Sequence, residues 1–158
     1  MSSSLDWKWH RFDALTPAAL HTILRARAEV FVVEQHCSFA DPDAMDAHAQ
    51  HLLGWSTDGA STALAAYLRL IGPGLKYAEA SIGRVLTTAA FRGRGLGRPL
   101  MLEGLRKLRE TFPSHACRIG AQHRLENFYT SFGFRTVSAP YIEDGITHVE
   151  MLLAADPR

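Results

Sequence analysis

Ile82-Gly83-Arg84-Val85-Leu86-Thr87-Thr88-Ala89-Ala90-Phe91-Arg92-Gly93-Arg94-Gly95-Leu96-Gly97-Arg98-Pro99 is the stretch whose reading decides the fold. Ala80 to Thr87 reads as a short strand carrying Ile82, Val85 and Leu86, followed by a turn rich in Gly and Arg. A helix then follows, because Met101, Leu105, Leu108 and Phe112 fall on one helical face until Pro113-Ser114 stops it. Glycines let a backbone approach a ligand closely and adopt angles that side chains forbid. The first turn of a helix carries unpaired N–H groups and the positive end of the dipole, which suits phosphate. Arg92, Arg94 and Arg98 add positive charge at the same place. Two common phosphate loops are excluded. A dinucleotide fingerprint needs GxGxxG, and counting from Gly93 the sixth position is Arg98; no GxxxxGK followed by Ser or Thr exists.

Outward from this segment, Thr16-Pro17 starts a helix that runs to about Val32, with Leu20, Ile23, Leu24, Ala28 and Phe31 at helical spacing. His36 to Gln50 has no period and reads as a loop. His51 to Thr57 and Ala63 to Ile71 read as strands turning at Asp58-Gly59, and Gly72-Pro73-Gly74 breaks the second. Arg118 to Gln122 is a short strand, and a helix with Leu125, Phe128 and Phe132 on one stripe ends at a left-handed Gly133. Arg135 to Leu153 reads as two strands joined around Glu143-Asp144-Gly145. The expected fold is α/β: a single domain over residues 1–158, with a mixed, mainly antiparallel sheet flanked by helices.

Composition narrows the function classes. The chain has 158 residues, 47% of them hydrophobic, with a formal net charge of +1. That balance gives no electrostatic case for nucleic acid or a membrane surface. No run approaches the ~18 apolar residues of a membrane span. The N-terminal Met-Ser-Ser-Ser-Leu-Asp-Trp lacks a basic region followed by an apolar stretch, so a cytoplasmic protein is expected. Cys37 and Cys117 have no zinc spacing and read as reduced thiols; His48 and His51 do not form a zinc helix pair, so no metal is expected. The charge is segregated nonetheless. Ala28 to Leu68 holds six acids (Glu29, Glu34, Asp41, Asp43, Asp46 and Asp58) and no Lys or Arg, while Arg84 to Arg124 holds nine basic residues against Glu103 and Glu110. Either these are solvated faces, or one region meets a cation and the other an anion.

Arg92-x-x-Gly95-x-Gly97 directly after a strand resembles the signature of the GNAT superfamily of N-acetyltransferases, and Asn127-Phe128-Tyr129-x-x-x-Gly133-Phe134 resembles its second landmark. Val30-Phe31-Val32-Val33-Glu34-Gln35, His51-Leu52-Leu53-Gly54-Trp55, Gly120-Ala121-Gln122 and Asp144-Gly145-Ile146-x-His148 are similar to the ElaA-type branch. The resemblance runs from about Trp7 to Leu153. It implies an acyltransferase that moves an acetyl group from acetyl-CoA to a primary amine by direct attack in a ternary complex. It also implies that the backbone of Val85, Leu86 and Thr87 holds the pantetheine arm and thioester. The pyrophosphate then lies on Arg92, Gly93, Arg94, Gly95, Leu96, Gly97 and Arg98, Asn127 touches the cofactor, and Tyr129 is a general acid.

The acceptor side is read from the residues. An amine must lose a proton before it attacks, so the acidic stretch is expected to draw the cation and take that proton. Glu34, at the end of an apolar run, is the preferred contact and base; His51 is second, and His148, which also lines the acceptor site, is third. The acceptor is a small-molecule or peptide amine, and a homodimer is compatible with the chain. Two other readings are an idle acyl-CoA-binding regulatory module, which binds without turnover, and a phosphate-reading nucleic-acid protein with steeply salt-dependent binding.

Overall fold

The computed structural model describes residues 4–157; residues 1–3 and 158, the ends of the expected domain, lie outside them. Strands β1 (Asp6–Arg11), β2 (Gln50–Asp58), β3 (Ser61–Ile71) and β4 (Ser81–Thr87) form an antiparallel sheet in that order. β1 has no counterpart among the expected strands. Its Trp7 and Trp9 alternate with Asp6, Lys8 and His10, a period of two that turns both indoles onto the core. The β2–β3 turn falls at Gly59-Ala60, one residue beyond the expected place, with Gly59 at φ 59°.

Helix α1 (Pro17–Arg27) is capped by the Thr16 hydroxyl, which accepts from the Ala19 N–H at 3.1 Å. It widens into a π-helical turn at Ala28–Val33, so the helical path reaches slightly past the expected end with a broader last turn. Helix α2 (Gly97–Thr111) buries Leu100, Met101, Leu105 and Leu108 against the first sheet. After β5 (Cys117–Gln122) comes the short α3 (Glu126–Thr130), closed by Gly133 at φ 96°, with Phe134 buried behind it.

Three strands follow rather than two: β6 (Arg135–Thr136), β7 (Tyr141–Glu143) and β8 (Ile146–Leu153). The expected turn at Asp144-Gly145 is present, with φ of 50° and 76°. The extra break falls at Val137–Pro140, because Pro140 cannot donate to a ladder. β8 pairs antiparallel with β5, β6 and β7 in a second sheet.

Among the described residues the two sheets meet at a single parallel bridge, Ala80 with Cys117. There Ala80 donates to Ala116 O at 3.1 Å, and Arg118 donates to Ala80 O at 2.8 Å. Beyond the bridge β4 and β5 separate, and among the described residues β4 is paired only with β3 and β5 only with β8. The molecule therefore splits open between two unpaired strand edges.

Candidate active site

The split begins with a bulge. Tyr67 pairs with Leu86 but Arg69 pairs with Gly83, so Arg84 and Val85 together face Leu68. Arg84 sits at φ 52°, a left-handed angle that costs an arginine about 1–3 kcal/mol. The bulge turns the chain at Val85 toward an open cleft of about 190 Å³ between β4 and β5. Val85 lines this cleft, whereas the Leu86 side chain is buried on the opposite side with Ile23, Leu53 and Tyr67. Leu86 can thus offer the cleft main-chain groups only, and the half-buried Thr87 ends the strand.

The glycine loop leads on from β4. Gly93 and Gly95 take left-handed φ angles of 74° and 72°, and a Cβ on either would meet no atom within 4 Å. Among the described residues, the amides of Gly93 to Gly97 find no main-chain acceptor of good geometry. Arg94 lies over Phe91 at 4.9 Å and Arg98 over Phe132 at 5.3 Å; among the described residues neither has a carboxylate within 4 Å. Unpaired N–H groups, a helix start and two cations without counter-ions share one surface. That arrangement fits a pyrophosphate. A Cβ on Gly97 would touch Phe128 at 3.4 Å, so its absence serves helix packing as well.

Tyr129 reaches the cleft from α3 and is only 7% exposed. Burial raises its hydroxyl to about 12, so it is a proton donor at neutral pH. Asn127, two residues earlier, is exposed on α3. His148 lines the same cleft from β8, stacked on Tyr141 with ring centroids 5.9 Å apart. Its Nδ1 lies 2.7 Å from the Ile146 carbonyl. A carbonyl only accepts, so Nδ1 carries the hydrogen and the neutral ring keeps Nε2 as an acceptor. Glu143 Oε2 stands 3.8 Å from that nitrogen. Lys76, Tyr77, Tyr141 and Glu143, which belong to none of the sequence motifs, also line the cleft. They come from a loop and a short hairpin with no period to betray them, and the pair of tyrosines flanking β4 and β8 was the available signal.

The other two residues expected on the acceptor side have other partners here. The Glu34 carboxylate pairs with Arg92 at 2.7 Å, both side chains being roughly two-fifths exposed. His51 is fully buried away from the cleft. Its Nε2 donates to the Asp46 carbonyl at 2.9 Å and its Nδ1 accepts from the Tyr67 hydroxyl at 2.7 Å, so neither nitrogen can serve a substrate. Burial lowers its pKa, which keeps it neutral.

The acidic stretch has a different occupation as well. Arg27, Asp41, Arg84, Asp43, Arg69 and Asp46 close an alternating ring of ion pairs. Arg27 meets Asp41 at 2.7 Å and Asp46 at 2.6 Å, and Arg69 meets Asp46 at 2.7 Å and Asp43 at 2.6 Å. Arg84 closes it, 2.8 Å from Asp41 and 3.5 Å from Asp43. Burial works to raise Asp43, but hydrogen bonds and charge from Arg69 overcome it and hold the carboxyl at about 2. Three of the six acids therefore neutralise arginines of α1, β3 and the β4 bulge. The cation they attract is internal.

Comparison with known proteins agrees with this geometry. Residues 27–155 match the acetyltransferase (GNAT) domain family. The UPF0039 protein of Synechocystis sp. is 40% identical over 153 residues, 97% of each chain. ElaA of Escherichia coli is 37% identical over 149 residues, 93% of this chain and 95% of the relative. Its crystal structure superposes with a TM-score of 0.86, covering 94% of this chain and 99% of that one. An acyl-CoA N-acyltransferase from Pseudomonas aeruginosa gives a TM-score of 0.88 at 38% identity, covering 96% of this chain and all of that one. With its split sheets, bulged β4 and glycine loop, the chain belongs to the GNAT acetyltransferase family and is similar to its ElaA and UPF0039 members.

Proposed function

We propose that the protein transfers an acetyl group from acetyl-CoA to a primary amine inside the cleft. The observation that carries this reading is the pair of facing, unpaired edges of β4 and β5 beside a loop of unpaired amides. A pantetheine arm contains two amides, so it can pair with a free strand edge as an added strand does. The pyrophosphate then rests on residues 93 to 98, near Arg94 and Arg98, neither of which has a carboxylate partner among the described residues. Arg92 must exchange its Glu34 partner to join them. Asn127, exposed on α3, is available to the rest of the cofactor.

Acetyl-CoA supplies an activated acyl group. The amine nitrogen attacks the thioester carbon; the C–N bond forms and the C–S bond breaks. Main-chain N–H groups at the Val85 bulge are the donors nearest the developing oxyanion. His148 Nε2 takes the proton that the ammonium must lose, directly or through water. Tyr129 gives its proton to the leaving thiolate. The described chain acts as one catalytic unit in this reading.

The test is thiol release from acetyl-CoA over a broad amine panel, with Tyr129→Phe as the paired variant. General acid help contributes about 10²–10⁴ in rate. Turnover should fall by that order in Tyr129→Phe while coenzyme A affinity and unfolding midpoint stay close to the parent. Thiol release that never exceeds the amine-free rate would sink the reading in favour of a binding module.

A further inference from the structure

The cleft contains a polar patch that the transfer chemistry does not use. Tyr77, in the loop before β4, and Tyr141, on β7, extend over Gly120 of β5. From the position a Cβ on Gly120 would occupy, the Tyr141 hydroxyl lies 3.2 Å away and the Tyr77 hydroxyl 3.7 Å. Among the described residues, neither phenol has a hydrogen-bond partner. Burial, with the nearby charge of Glu150, raises Tyr77 to about 12, so its O–H stays a donor.

Beside them Lys76 holds its ammonium 5.4 Å from the centre of the Tyr77 ring, and among the described residues no carboxylate lies within 4 Å of it. Burial and the positive charge of Arg69 and Arg84 push Lys76 below the usual lysine range, against the opposing pull of Glu143 and Asp43. Three donors without hydrogen-bonded acceptors thus line the same cleft, the two hydroxyls side by side over Gly120 and the ammonium beside the Tyr77 ring. On the same hairpin as Tyr141, Glu143 and His148 supply acceptors without donors. A side chain at position 120 would strike the Tyr141 hydroxyl, so Gly120 keeps the space open.

We infer that the acceptor is a small amino acid-like molecule, its carboxylate held by Lys76, Tyr77 and Tyr141 and its amine by Glu143 and His148. This rests on N-acetyl transfer occurring in the same cleft. A charged amine and a carboxylate on one small molecule match both sets of unpartnered groups at once, whereas a plain amine leaves the donors unmet. Acetylation turns the ammonium into a neutral amide, which loses its attraction to Glu143 and favours release.

The experiment uses the full chain with the L-amino acids, each paired with its own amino acid amide, which keeps the amine and side chain but lacks the charge. Thiol release reads transfer, and calorimetry on protein saturated with coenzyme A reads acceptor binding without turnover. The parent should favour the carboxylate member of its best pair at least tenfold in both measurements. Lys76→Met should bring that amino acid down to its amide and leave the amide unchanged, and Tyr141→Phe should do so in part. Equal use or binding of both members by the parent, or equal loss of both in Lys76→Met, overturns the inference while leaving transfer intact. Carboxylate-selective binding without thiol release would uphold the subsite and overturn the transfer reading. Absence of binding by every pair overturns the subsite.

Discussion

The acidic loop from Asp41 to Asp46 and the glycine loop from Arg92 to Arg98 are both charged, both adjoin β4, and both read as ligand sites in the sequence. They differ in whether their charges are answered. Asp41, Asp43 and Asp46 each pair with two arginines, and none of the three faces a ligand without a counter-ion. In the glycine loop Arg94 and Arg98 rest on aromatic rings, and among the described residues the amides beside them have no main-chain acceptor of good geometry. Charge in a sequence therefore marks a site only after internal neutralisation is subtracted. The two regions still cooperate. The acids grip Arg84, whose left-handed backbone forms the bulge that aims Val85 at the cleft. The ring is a scaffold for the site and not part of its chemistry.

That contrast can be broken by experiment. Arg27→Met takes one of two arginine partners from each of Asp41 and Asp46, leaving Arg84 and Arg69 in place, so its cost approaches but does not exceed the about 3–5 kcal/mol of breaking a buried pair outright. Urea unfolding should show a loss of that order. An unchanged midpoint with a raised acceptor KM would return the acidic loop to the acceptor site. Gly95→Asp places a carboxylate where phosphate belongs, and each charge-assisted hydrogen bond lost costs about 1.5–3 kcal/mol. Coenzyme A affinity should fall about 10- to 150-fold by calorimetry. Gly95→Asn carries the same left-handed strain without charge and should lose much less. Equal losses in the two would assign the effect to backbone strain.

A smaller effect comes from pH. Asp43 is held at about 2 in the fold, against about 3.9 when unfolded. A lowered carboxyl pKa stabilises above the unfolded value and stops doing so as pH falls through the folded one. Its side chain is 36% exposed, so after solvent screening the contribution is on the order of 1 kcal/mol, lost between about pH 4 and pH 2. His51, kept neutral by burial, acts with the same sign: below about pH 6.5 the unfolded chain binds a proton that the fold resists. Unfolding midpoints should fall from about pH 6 downward, and His51→Gln should flatten the upper part of that slope. The smallest effect belongs to Glu34→Gln. The Glu34–Arg92 pair is partly exposed and contributes at most about 1 kcal/mol. Freeing Arg92 should leave coenzyme A affinity unchanged or raise it by up to about fivefold. A fall in affinity would show that Glu34 orients Arg92 for its ligand.

What the sequence determined by itself is local. The strand, the glycine turn and the stripe of Met101, Leu105 and Leu108 are set by periodicity and by the backbone freedom of glycine, neither of which needs a distant partner. The same holds for the Gly133 cap and the Asp144-Gly145 turn. Other decisions belonged to the tertiary structure because they depend on which distant groups meet. His51 and Glu34 carry the same side chains whether they face a substrate, Tyr67 or Arg92, and only packing chose the last two. The cleft subsite joins Lys76 and Tyr77 to Gly120 and Tyr141 across more than forty residues, and no local rule spans that gap. An ion pair or a converging pair of hydroxyls exists only when the sheets are assembled. Distance sets its strength, and the order of residues along the chain does not contain that distance.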